Sequence, residues 1–149
     1  MMISAASAHP LLSRTADYGL RAVLALGMQC DGRLVTADEL AARTGAPRNY
    51  LSKTLHALAR EGIVQGTRGP HGGFALNVPA EALTIARVVD ALIEAAPHTP
   101  RCLLGSGPCN PSRPCAAHRR WTMITAAARE PLAVTTVADL LGGHHTATS

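Results

Sequence analysis

The sequence predicts a mainly helical fold that carries one small β-hairpin and ends in a long helix. Three observations predict it. Successive stretches show apolar residues at helical spacing, bounded by capping residues, glycine or proline. A Gly-rich run, Gly66-Thr-Arg-Gly-Pro-His-Gly-Gly73, lies between two short extended runs. Beyond a proline-broken segment, Ala117, Trp121, Ile124 and Ala128 fall at i, i+4, i+7 and i+11, a narrow stripe suited to a helix–helix seam.

Residues 13 to about 28 read as the first helix, because Leu20, Val23, Leu24 and Gly27 lie on one face. Asp31-Gly32 ends it in a turn. Thr36-Ala-Asp-Glu39 is a capping box: the Thr hydroxyl can accept from the Glu amide while the Glu carboxylate reaches back. Leu40 begins the buried face of this second helix, and Gly45 stops it. Pro47 suits a first helical position, where a missing N–H costs nothing. Leu51, Leu55 and Leu58 then make an i, i+4, i+7 stripe, and Gly62 closes the third helix. Ile63-Val64-Gln65 and Phe74-Ala-Leu76 are the arms of the hairpin. Thr84 caps a fourth helix whose Ile85, Val88, Val89 and Leu92 face inward, and Pro97 and Pro100 end it. Residues 116 to about 129 form the long helix, and residues 135–141 a last short one before Gly142-Gly143.

Two short helices joined by the tight Thr44-Gly45-Ala46 connection make a helix-turn-helix, and a hairpin directly after one is a wing. The fold class is therefore a winged helix-turn-helix with a long dimerisation helix. The expected divisions are a DNA-binding domain over residues 11–96, a cysteine-rich loop over 97–118, and the dimerisation helix with its short successor over 116–142. The seam stripe has two candidate partners, its own domain or a second copy. A homodimer is expected, because a winged helix of this size usually reads DNA, here a palindromic operator, as a pair.

A chain of 149 residues, 47% of them hydrophobic, suffices for one core plus an appendage. It has no run of about eighteen apolar residues to span a membrane. Residues 1–10 lack the basic-then-apolar order of a secretory signal and read as a frayed lead-in. The expected compartment is the cytoplasm, where clustered cysteines favour metal or redox chemistry over disulfides. The net charge of +4 and an isoelectric point near 9.2 favour a polyanion partner. Four residues in all are Phe, Trp or Tyr, too few for a stacking platform on single strands. Double-stranded DNA is the expected partner.

Residues 47–71 hold Arg48, Lys53, Arg60 and Arg68 against Glu61 alone. Opposite the Leu stripe of the third helix lie Arg48, Asn49, Ser52, Lys53 and His56. Asn49, Ser52 and Lys53 occupy the first turns, the part of a recognition helix that meets base edges. Asn can bond adenine, Lys can donate to guanine, and Ser suits several partners. Arg48 and Arg60 suit phosphate. Tyr50 either reaches phosphate through its hydroxyl or packs. Arg68, followed by Gly69 at the wing tip, suits the minor groove. Taken singly, each has a plain alternative as part of a solvated charged face.

The segment before the long helix reads Cys102-Leu-Leu-Gly-Ser-Gly-Pro-Cys109-Asn-Pro-Ser-Arg-Pro-Cys115-Ala-Ala-His118, with gaps of six, five and two residues. Thiolates select zinc and iron–sulfur clusters. Three thiolates and an imidazole would close a tetrahedral zinc site, yet structural zinc sites pair their cysteines more closely than this. A disulfide within the set is the plain alternative. Cys30 reads as a small buried apolar residue and His144-His145 as tail. The chain shows no nucleophile–base pair and no paired carboxylates, so no catalytic residue and no enzyme activity is expected.

Four runs carry a family resemblance: Thr15-Ala-Asp-Tyr-Gly-Leu-Arg-Ala-Val-Leu24, Tyr50-Leu51-Ser52-Lys53, Arg68-Gly69-Pro-His-Gly-Gly-Phe74 and the cysteine run. Together they resemble the winged-helix iron–sulfur transcription regulators of the IscR/NsrR family, over roughly residues 11–142. The wing and the three-cysteine motif are specific in combination. The resemblance implies a homodimer joined through the long helix. It also implies an iron–sulfur cluster held by Cys102, Cys109, Cys115 and one non-thiolate ligand. The first cysteine gap is slightly longer than in the type members. His118 matches the histidine that completes a 2Fe–2S site in IscR-like members. Asp17 matches the first-helix acid that reaches a 4Fe–4S cluster from the other subunit in NsrR-like members. Asp17 is equally accounted for by its helix N-terminus and by Arg21 at i+4, and His118 by a surface place at a helix start. The 2Fe–2S form with His118 is the favoured expectation.

The expected function is a regulator, a repressor among the candidates, whose operator binding follows redox state, nitric oxide or cluster supply. One alternative is a metal-free or zinc-bound regulator using its cysteines as a thiol switch. Another is a small iron–sulfur electron carrier, which leaves the capping box, recognition helix and wing unexplained.

Overall fold

The computed structural model describes residues 12–29, 31–93, 110 and 112–142, with Trp121 and Thr125 described by their backbone alone. The lead-in, Cys30, Pro97, Pro100, Cys102, Cys109 and His144-His145 lie outside the described residues.

Helix α1 (Arg14–Gly27) is capped by Ser13, whose hydroxyl accepts from the Ala16 amide at 3.2 Å. It packs against the second, third, fourth and last helices and the second strand. Its buried side is therefore wider than the apolar stripe predicts. Ala16, Gly19, Ala22, Val23, Ala25 and Leu26 are buried, while Leu20, Leu24 and Gly27 are only half-buried. Small residues let the neighbours close in. A Cβ at Gly19 would stand 2.2 Å from Leu92 Cδ1 and 3.0 Å from Thr54 Cγ2. Leu92 is fully buried, so any shift it makes disturbs a close-packed core. Gly19→Ala is thus expected to lower stability by about 1–3 kcal/mol through overpacking. At an open helical site the same change would add about 1 kcal/mol. Denaturant unfolding reads the sign directly.

Helix α2 (Ala37–Thr44) opens on the predicted capping box. The Glu39 amide donates to Thr36 Oγ1 at 3.2 Å, and the Thr36 amide donates to Glu39 Oε2 at 3.3 Å. The Arg33 guanidinium bonded to Glu39 holds its carboxyl below the usual range, helped by the Thr36 amide. Gly45 ends α2 in a left-handed conformation at φ 70°.

Helix α3 (Arg48–Arg60) starts one residue later than expected. Pro47 is the N-cap, extended at ψ 132°, and what the helix uses is its carbonyl, which accepts from the Leu51 amide at 2.9 Å. Leu51, Leu55 and Leu58 are fully buried, as their spacing predicts.

Strands β1 (Val64–Thr67) and β2 (Gly73–Leu76) pair antiparallel, with Val64 opposite Leu76 and Thr67 opposite Gly73. They run further into the Gly-rich run than expected, leaving residues 68–72 as the tip. Ile63 precedes the strand and is fully buried. Val35 exchanges two backbone hydrogen bonds with Phe74, at 2.9 and 2.8 Å, and so ties the wing to the α1–α2 connection.

Helix α4 (Ile85–Ile93) buries Ile85, Val88, Val89 and Leu92, with Thr84 Oγ1 accepting from the Arg87 amide at 3.3 Å. Helix α5 (His118–Val134) begins two residues later than expected and continues past Arg129 through Pro131. An interior proline forfeits one hydrogen bond. Contacts from elsewhere in the chain accompany this stretch: Leu132 packs against the core, and Arg129 pairs with Asp90 of α4 at 2.8 and 2.5 Å. After it, Ile85 and Val137 donate to the Thr135 and Leu83 carbonyls at 2.9 and 2.8 Å. Helix α6 (Val137–Gly142) starts with a reciprocal cap between Thr136 and Asp139. Among the described residues, no helix is long and apolar enough to cross a membrane.

Candidate nucleic-acid interface and cysteine site

Once Leu51, Leu55 and Leu58 are committed to the core, the outward side of α3 is fixed. Arg48, Asn49, Lys53, His56 and Arg60 are exposed there, and Ser52 is half-buried. Arg48 Nε stands 2.6 Å from Asp38 Oδ1 of α2, with both side chains about two-thirds exposed. An exposed pair of this kind is worth about 0–1 kcal/mol, so a phosphate can compete for Arg48. Tyr50 is packed on one side and 37% exposed. Its hydroxyl is hydrogen-bonded to Thr15, and its ring meets Tyr18 edge-on with centroids 5.6 Å apart. These contacts fasten the first turn of α3 to α1.

Arg68 is exposed on the wing tip. The turn beneath it depends on glycine. Gly69 sits at φ 118°, and a Cβ on Gly72 would lie 2.2 Å from the Thr67 carbonyl oxygen. A narrow tip presenting one arginine is the result.

Of the proposed cluster ligands, Cys115, His118 and Asp17 fall among the described residues. Cys115 is half-buried, and its carbonyl accepts from the His118 amide at 3.0 Å, so one turn joins the two residues. His118 is the first residue of α5, which has no acid in its first turn, and Arg113, Arg119 and Arg120 around it are exposed. A basic surround suits an anionic thiolate centre. Asp17 is buried, 8% exposed, and accepts from Arg21 Nε at 3.0 Å. The i+4 spacing thus accounts for its carboxylate. Among the described residues, no three His, Cys, Asp or Glu side chains gather to hold a metal.

A helix-turn-helix, a wing and a helix rising from a cysteine segment are features of known regulators, and the family model described as Rrf2, an iron-dependent transcriptional regulator, matches residues 12–143. The chain belongs to the Rrf2 family. An HTH-type transcriptional regulator by name, from Aquifex aeolicus, is 31% identical over 133 residues, which is 88% of this chain and 91% of that protein. The structure of CymR, the global cysteine regulator of B. subtilis, is 26% identical with a TM-score of 0.65, over 87% of this chain and 94% of CymR. IscR of T. potens is 22% identical with a TM-score of 0.70, over 93% of this chain and 90% of IscR, a likeness of fold. Rrf2 membership makes the chain a DNA-binding transcriptional regulator rather than an electron carrier. Sequence reasoning placed His56 on the outward face of α3 without giving it a task. It had no signal for the Arg48–Asp38 and Thr15–Tyr50 pairings, which join separate elements.

Proposed function

We infer that this Rrf2 regulator binds duplex DNA as a homodimer and that an iron–sulfur cluster held by Cys102, Cys109, Cys115 and His118 sets its grip on an operator. The observation that carries this reading is the donor set: three thiols in one proline-rich stretch of sequence, the last followed by an imidazole across the turn that starts α5. Soft sulfur ligands with one nitrogen suit an iron–sulfur cluster, here in the 2Fe–2S form. Bound there, such a cluster would supply a centre sensitive to redox state and nitric oxide. Asp17 is the less apt fourth ligand, because recruiting it would first break its contact with Arg21.

The protein's own residues supply the rest. Asn49, Ser52 and Lys53 face base edges, Arg48 and Arg60 hold phosphates, and Arg68 with Gly69 enters the minor groove. Tyr50 positions α3 through Thr15 and Tyr18. The loop over residues 97–118 leads directly into α5, so order in that loop bears on how two copies are set. Half-sites lie about 34–36 Å apart, and a small rotation between copies decides whether both dock. Anaerobic purification with an absorption spectrum and iron and sulfide counts tests the reading; colourless, iron-free protein sinks it. Arg60→Ala is expected to weaken binding to every duplex and to lower the salt slope by about 0.9.

A second reading has one observation behind it, the likeness to the cysteine regulator CymR. In that reading the three cysteines act as thiols and the protein carries no iron.

A further inference from the structure

On α3, Asn49, Lys53, His56 and Arg60 follow one another at i, i+4, i+7 and i+11, an exposed polar stripe beside the buried Leu stripe. Lys53, His56 and Arg60 rim a shallow depression whose remaining lining is Ala57 and Ala59. Small residues at its base leave room for an atom group to settle against the helix. The distance from Lys53 to Arg60 is about 10 Å along the helix axis. That length spans more than one phosphate of a duplex strand. The stripe also runs from the first turn, where bases are read, toward the C-terminal half, where recognition helices meet the backbone.

We propose that His56 is a phosphate-positioning residue that seats the DNA backbone between Lys53 and Arg60, and that its protonation makes DNA affinity depend on pH. The proposal rests on α3 facing the duplex. Histidine is the side chain that ordinarily changes charge between about pH 5 and 8. A phosphate against the ring favours the protonated form, so binding takes up a proton and strengthens as pH falls. Among the described residues, the charged groups lining the depression beside His56 are Lys53 and Arg60 of its own helix, and no other element lines it. Glu61 follows on the C-cap, and the wing carries Arg68 and His71.

The test uses the purified full chain and a labelled mixed-sequence duplex about three turns long. Its affinity and salt slope are measured near pH 6 and near pH 8. The wild type is expected to bind several-fold tighter at the lower pH, with a salt slope steeper by up to about 0.9. His56→Gln should bind alike at both pH values while its melting temperature is unchanged, since the side chain is exposed. His71→Gln should keep the wild-type pH dependence. PH-independent binding by the wild type overturns the proposal, as does pH dependence surviving in His56→Gln or vanishing in His71→Gln. Lys53→Ala separates the two levels. Lost affinity at both pH values upholds α3 as the DNA face whatever His56 does, and unchanged affinity removes that face and this proposal together.

Discussion

Cys115→Ala protein, purified without oxygen, is expected to hold neither iron nor acid-labile sulfide and to lack visible absorption, while the wild type is coloured. Cys115 is the last residue of the cysteine run and lies next to α5, joined by one turn to His118. The two residues between them are alanines, so no neighbouring donor can take over the lost thiolate. Cys115 is also not part of the hydrophobic core, which is built from α1 to α4, the wing and Val137. The variant should therefore keep its helical circular dichroism. Loss of iron without loss of fold is the signature of a ligand. Loss of both together would mark a structural cysteine. Separate His118→Ala and Asp17→Ala variants sharpen the result. The first should lose or alter the absorption spectrum. Asp17→Ala should keep iron and lose stability, because its carboxylate sits almost buried against Arg21.

The features legible in the sequence are those whose cause lies within a few residues. The Thr36–Glu39 box, the left-handed stop at Gly45 and the Leu51, Leu55, Leu58 stripe each need only one helix to make sense, and each is in place. Features that depend on partners far along the chain were not legible. The predicted stripe on α1 runs through Leu20, Val23, Leu24 and Gly27, whereas the helix is enclosed on several sides and also packs through Ala16, Gly19, Ala22 and Ala25. The continuation of α5 through Pro131 is accompanied by contacts from far along the chain, Leu132 on the core and Arg129 on Asp90, the latter two 39 residues apart. The candidate DNA face divides in the same way. Which cations point outward follows from the buried stripe, but Arg48 on Asp38 and Tyr50 on Thr15 follow from how three helices meet.

Ile124→Asp is expected to turn a dimer into monomers and to lower operator affinity by about 10²–10⁴, the benefit that linking two binding modules confers. The ground for this is what α5 leaves uncovered. Met123 is 64% exposed, Ile124 55% and Val134 74%, and Ala128 is exposed as well. Among the described residues, nothing of its own domain covers the predicted seam at Ile124 or Ala128, which supports the proposed pairing with a second copy. What holds α5 to its own domain is Arg129 on Asp90, Leu132 on the core and the hydrogen bonds around Thr135. None of these involves Ile124, so the substitution should spare the stability of the single chain. At a twofold interface the change appears twice, which places two carboxylates in one apolar seam. Ile124→Ala removes area without adding charge and should loosen the dimer only partly. Light scattering after size-exclusion chromatography reads both variants. A dimer that survives Ile124→Asp unchanged would put the interface on another surface, and the posture of the two reading heads would then have to be set by something other than α5.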